Sequence, residues 1–218
     1  MKKAISLVLL LALILSFTAC AYREPNAKFT VTAMGFEKNG SSVTAYLQAM
    51  DFSKGENKTF VSVGQGRDVS LALKDINTTL SKEPSFEHCE IILLSKGIEK
   101  QQLEETLSLC NTLGMSQKTK IAYTANIGAA LENKTIGSGG EIAALINENS
   151  RDFGFGKNTA LFEIKTAILV NNGNFALVNL GASNNEIKFG GLMEYQNCKA
   201  VRLLSFDESR QYSKEHAK

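Results

Sequence analysis

Hydrophobic and polar residues alternate along 28–37, with Phe29, Val31 and Ala33 on one face and Thr30, Thr32 and Met34 on the other. Alternation resumes over 42–51 through Val43, Ala45, Leu47 and Ala49, and Asn39-Gly40 lies between the two runs. Period-two patterning on both sides of a turn dipeptide predicts a β-hairpin. A short run at 59–63 adds a candidate strand. From Arg67 the period lengthens: Val69, Ala72, Leu73, Ile76 and Leu80 form the single stripe of an amphipathic helix, which Pro84 cannot continue. Residues 88–94 end in the unbroken apolar run Ile91-Ile92-Leu93-Leu94, the mark of a central strand buried on both faces. Helical spacing returns over 98–113, with Gly114 just past its end. A strand is expected at 118–124 and a short helix at 127–133. This order predicts an α+β fold, a mixed β-sheet packed with helices over 28–170.

Past 133 the pattern weakens. Residues 135–140 read as a linker, 141–149 and 158–170 as weaker helices, and Asn171 to Asn174 as a turn. Residues 186–196 and 199–204 read as a second hairpin. Ser205 with Glu208 three residues on forms a capping box that should open a last helix. The stretch 171–218 is therefore expected as a short, incomplete second α/β unit, docked on the first through Leu192, Val201, Leu203 and Leu204, with a mobile end beyond residue 210.

The N-terminus changes the picture. Lys2 and Lys3 precede a 12-residue run, Ala4 to Leu15, that is apolar except for Ser6, and Thr18-Ala19 then stand directly before Cys20. The run is too short to be read first as a spanning helix and fits a bacterial secretory signal over residues 1–19. Small residues ahead of a cysteine resemble a lipobox, which makes Cys20 the expected lipidation site and 20–27 a polar tether. Without Lys2 and Lys3 the formal charge of +2, from 24 basic and 22 acidic residues, falls to zero. A neutral chain carries no electrostatic footprint for nucleic acid.

Few residues are available for chemistry. Cys89, Cys110 and Cys198 match no Cys-x-x-Cys pair and sit in apolar sequence, so they are expected as small buried hydrophobes. Gly64-Gln65-Gly66 lacks the remaining glycine and lysine positions of a phosphate loop, and a tight turn ahead of the helix at Arg67 explains it better. His88, Cys89 and Glu90 would alternate faces on a strand and so would not converge on one ion. Gly137 to Gly140 has no base in view for a nucleophile at Ser138, and His216 lies at a chain end where helices fray. No catalytic residue, metal site or cofactor is assigned, and a secreted enzyme is disfavoured.

Several segments together resemble the Ger(x)C spore germination lipoproteins. Cys20 is followed by Tyr22-Arg23-Glu24, then by Val31 to Glu37 and by Tyr46-Leu47-Gln48. Residues 63–80, Phe86-Glu87-His88 ahead of Ile91 to Leu94, and 125–131 follow in the family's order. Gly190 to Tyr195 and the stretch through Leu203 to Arg210 resemble its later block. Members carry a further C-terminal domain after that block, where this sequence stops. The resemblance implies a non-enzymatic C subunit of a nutrient germinant receptor, held by lipid on the extracytoplasmic face of the spore inner membrane, with two multi-span receptor subunits as partners. The competing reading is an extracytoplasmic solute-binding lipoprotein of a transport system.

Overall fold

A computed structural model describes residues 28–52, 58–133, 137–152, 159–183 and 186–216. Strands β1 (Lys28–Asn39) and β2 (Ser42–Asp51) form the expected hairpin, closed at Gly40, whose φ of +62° suits glycine. Strand β3 (Lys58–Gly66) adds antiparallel to β2. Helix α1 (Val69–Thr79) starts where Asp68 accepts a hydrogen bond from the Leu71 N–H at 2.8 Å. The short β4 (Glu83–Ser85) runs parallel to the start of β1, and β5 (Ile91–Leu94) parallel to its middle. Next come α2 (Lys100–Thr112), β6 (Lys120–Thr124), α3 (Ile127–Leu131), α4 (Gly139–Asp152) and α5 (Leu161–Val170). Strands β7 (Phe175–Ser183), β8 (Glu186–Gln196) and β9 (Lys199–Leu204) and helix α6 (Phe206–Glu215) complete the order.

The described strands form one mixed sheet in the order β3-β2-β1-β5-β6-β7-β8-β9, with β4 beside β1. The fold class is α+β, as the periodicity predicts. Helices α1, α2 and α5 cover one face through Ile76, Leu103 and Ile164; α3, α4 and α6 cover the other. β5 feeds both cores, Ile92 and Leu94 into the first and Ile91 and Leu93 into the second, which is why its sequence shows no alternation.

Four local expectations are corrected. First, β1 does not keep one phase. Its pairing with β2 shifts between Val31 and Ala33, so Phe29 and Val31 share a core with Met34 and Phe36 while Ala33 faces the other. The bulge inserts one residue and reverses the alternation beyond it. Second, Gly64-Gln65-Gly66 is the end of β3, not a turn. A Cβ on Gly64 would lie 2.5 Å from the Ala72 carbonyl oxygen, and one on Gly66 would strike the Ala72 nitrogen. The pair lets α1 press its backbone against the strand. Third, the linker at 135–140 lies partly outside the described residues, and its described end starts α4. Glu141 accepts from the N–H groups of Gly137 and Ser138, and Ser138 Oγ accepts from the Glu141 N–H at 3.4 Å. Fourth, β7, which the sequence pattern did not reveal, pairs in parallel with β6 and antiparallel with β8.

Through β7 the stretch 171–218 joins the same sheet by backbone pairing. Of the four side chains expected to dock it, Leu192 and Leu204 are buried, whereas Val201 and Leu203 are exposed. The far end of the sheet also curls. In a flat sheet β9 would lie ~19 Å from β5, four spacings away. Yet Lys199 at the start of β9 reaches Glu99, beside the first turn of α2, at 3.1 Å. The His216 ring stacks on Tyr212, with centroids 4.1 Å apart, and its Nδ1 lies 2.9 Å from the Tyr212 carbonyl oxygen.

Candidate functional site

Cys20 lies outside the described residues. The first described residue after it, Lys28, stands at the end of the sheet where β1 begins, β2 ends and β3 begins. No helix among the described residues is long and apolar enough to cross a membrane.

The residues weighed for chemistry have structural settings. His88 is not on a strand. It sits exposed in a turn closed by the Cys89 N–H donating to the Phe86 carbonyl oxygen at 3.1 Å, and the turn, not strand alternation, drives Cys89 inward and leaves His88 and Glu90 outside. No group of three or more His, Cys, Asp or Glu residues gathers among the described residues. Cys89, Cys110 and Cys198 are free and buried. Burial pushes all three thiols up, Cys110 to about 12, so none supplies a thiolate near neutral pH. Ser138 is engaged as a helix cap.

The Glu-Ser-Arg block, Glu208-Ser209-Arg210, clamps α6 to the sheet. Glu208 accepts from the Ser205 N–H at 2.8 Å in the expected capping box. Ser209 Oγ accepts from the buried Leu192 N–H of β8 at 3.0 Å and donates to the Leu204 carbonyl oxygen at 3.4 Å. Arg202 bridges Glu194 at 2.7 Å and Glu208 at 3.0 Å, and its hydrogen bond holds the Glu194 carboxyl below the usual range. At the opposite end of the β1–β2 hairpin, the Tyr46 hydroxyl donates to Glu37 at 2.8 Å; burial, then that bond, pushes the phenol up to about 12.

The exposed surface carries what the interior does not need. Helix α5 buries Leu161, Ile164 and Ala167 but turns Phe162, Leu169 and Val170 outward, Leu169 at 83% exposure. Edge strand β9 exposes Val201 and Leu203. Periodicity alone could not single these out, because a helix reading Leu-Phe-Glu-Ile-Lys-Thr-Ala-Ile-Leu-Val is apolar nearly all round. Two clefts are lined mainly by charged and amide side chains. One of about 410 Å³ runs between Lys38, Glu99 and Lys199, and one of about 450 Å³ lies beside Arg202 and His216. Neither is the apolar, enclosed pocket that small-molecule binders present.

Residues 21–180 match the family defined as the spore germination protein N-terminal domain. The chain belongs to that family. The match starts one residue past Cys20 and runs into β7, so it spans the hairpin, both core layers and the parallel centre of the sheet. No curated protein and no solved structure matches the chain. Within the family match, Tyr46 and Gln48 of the segment Tyr46-Leu47-Gln48 both make side-chain hydrogen bonds, Tyr46 to Glu37 and Gln48 to the Leu131 carbonyl oxygen. Those residues serve the fold.

Proposed function

We propose that this chain is the lipid-anchored C-type subunit of a nutrient germinant receptor, acting through protein contacts and not through catalysis. The observation that carries the reading is the family match over residues 21–180, which begins immediately behind the lipobox cysteine. Two further features support it. The three thiols are buried, and Ser138 is committed to helix capping. The free surface of the fold instead offers apolar side chains on α5 and an open strand edge at β9, features suited to protein partners. The partners in this reading are two multi-span receptor subunits in the spore inner membrane, which the lipoprotein meets from the extracytoplasmic side.

The test joins anchor and role. Wild type is expected to incorporate labelled fatty acid and sediment with membranes, and Cys20→Ala to do neither. Spores lacking the chain are expected to lose their response to at least one nutrient, and to recover it with wild type but not with Cys20→Ala. Unchanged germination on every nutrient would remove the receptor reading. Genes for two multi-span receptor subunits beside this one favour it; a neighbouring permease and ATPase would instead favour solute binding.

A further inference from the structure

We propose that the end of the sheet bearing Lys28, Phe52 and Lys58 rests on the lipid surface that holds the anchor, so that the domain stands on this end with its strands rising from the bilayer. This rests on the reading of Cys20 as the lipidated residue.

The argument starts from reach. Residues 21–27 separate Cys20 from the first described residue. Fully extended, they span at most ~25 Å. β1 is 12 residues long, so its far end at Asn39 lies ~36 Å beyond Lys28. The anchor therefore keeps one end of the sheet close to the lipid and leaves the other to solvent in an upright domain.

The near end has a surface suited to that position. The register places Lys28 opposite Glu83, Met50 opposite both Thr30 and Thr59, and Asp51 opposite Lys58. Phe52 follows Asp51 and is 40% exposed. Lys82 sits 2.8 Å from Asp51 and 5.2 Å from the centroid of the Phe29 ring, and Phe29 packs edge-on against Phe60. Phe52, Lys28, Lys58 and Lys82 thus stand at the same end of the sheet. An exposed phenylalanine with lysines at the same end suits a bilayer interface, the ring at the headgroup boundary and Lys58 towards phosphates, while Lys28 pairs with Glu83 and Lys82 with Asp51.

The competing posture lays α5 on the bilayer through Leu169 and Val170. Ile168, beside Leu169, lines a cleft with Lys100 at the start of α2. α5 leads through Gly173, whose N–H bonds the Ala167 carbonyl oxygen, into β7, and β7 stands four strands from β2 in the sheet order, so Leu169 lies well across the sheet from Phe52. The two postures therefore put different residues in lipid.

The chain contains no tryptophan, so a single introduced one reports its own surroundings. Full-length Phe52→Trp and Leu169→Trp, purified from membranes in lipidated form, are reconstituted into anionic vesicles carrying a headgroup-depth quencher. An interfacial side chain sits ~5–10 Å into the headgroup boundary, so Phe52→Trp emission is expected to fall at least ~2-fold, with a blue shift, and Leu169→Trp to stay within ~10%. Quenching of Leu169→Trp equal to or greater than that of Phe52→Trp overturns the proposal. So does quenching of neither while the protein sediments with vesicles. If the protein carries no lipid, the anchor reading fails separately. The orientation is then decided by coupling Cys20 of the chain from residue 20 onward to a maleimide lipid, since Cys89, Cys110 and Cys198 are buried, and repeating the measurement with the same two outcomes.

Discussion

Thr32 on β1 donates from its hydroxyl to the Gln48 side-chain oxygen on β2 at 2.8 Å, and Gln48 passes the link on, its Nε2 donating to the Leu131 carbonyl oxygen at 2.7 Å. Both side chains are buried, and the pair sits where the β1 bulge reverses the strand's phase. One amide therefore joins two strands to the last residue of α3 and satisfies a helix-terminal carbonyl.

Gln48→Leu removes the donor to the Leu131 carbonyl and leaves the Thr32 hydroxyl only its longer contact, 3.5 Å, to the backbone carbonyl oxygen of residue 48. It is expected to cost about 2–4 kcal/mol, since each buried polar group left unpaired loses about 1–3 kcal/mol. Thr32→Val should cost less, because Gln48 keeps its bond to Leu131. Urea unfolding followed by far-UV circular dichroism ranks the two; an equal loss would show that the network does not run through Gln48.

Gly64 and Gly40 separate close approach from turn conformation. A Cβ at Gly64 would press on the α1 backbone, whereas one at Gly40 meets nothing within 4 Å but must adopt φ of +62°. Gly64→Ala is expected to cost about 2–3 kcal/mol, in the range of core overpacking. Gly40→Ala should cost about 1 kcal/mol from the left-handed backbone alone. Denaturation midpoints of both variants check the order.

Ser209→Ala removes the acceptor of the buried Leu192 N–H. The expected loss is about 1–3 kcal/mol. It should appear first as faster amide exchange in β9 and α6, because Ser209 also bonds the Leu204 carbonyl at the end of β9. Uniform acceleration across the whole sheet would show that α6 is not a separately opening unit.

The thiols set an alkaline limit. Cys110 titrates at about 12 in the fold because burial disfavours its thiolate, whereas an unfolded cysteine titrates at about 8.5. A pKa raised on folding contributes stability that is complete below the unfolded value and is lost as pH climbs towards the folded one. Burial shifts Cys89 and Cys198 the same way. Melting temperature should therefore decline from about pH 8.5 upward, and Cys110→Ala should flatten that decline while lowering stability at pH 7 through the cavity it leaves. An Ellman-type reagent at pH 8 should find Cys89, Cys110 and Cys198 unreactive until the protein unfolds.

Much of the architecture was legible from local pattern because its cause is local. The β1–β2 hairpin follows from two alternating runs around Gly40. The Val69-Ala72-Leu73-Ile76 stripe is one face of α1, and the unbroken run Ile91 to Leu94 is best read as a strand covered on both sides. Ser205 and Glu208 announced α6 because a capping box is contained within four residues. The chemistry was legible in a plainer way: isolated cysteines in apolar sequence pack as hydrophobes.

Tertiary structure decided what depends on distant partners. The phase reversal at Thr32 exists because β2 holds a different register on either side of it, which a period-two count along β1 cannot contain. Gly64 and Gly66 read as a turn because their neighbour in space, the backbone of Ala72, is absent from the local pattern. β7 was missed for the same reason: Phe-Ala-Leu-Val-Asn-Leu-Gly follows an apolar helix and has no clean alternation, and it becomes a strand because β6 and β8 satisfy its backbone from both sides. That pairing joins residues 171–218 to the main sheet and leaves Leu169, Val170, Val201 and Leu203 outside. Burial of an apolar side chain is set by the area its neighbours cover, and those neighbours are assigned only when the strands find their order.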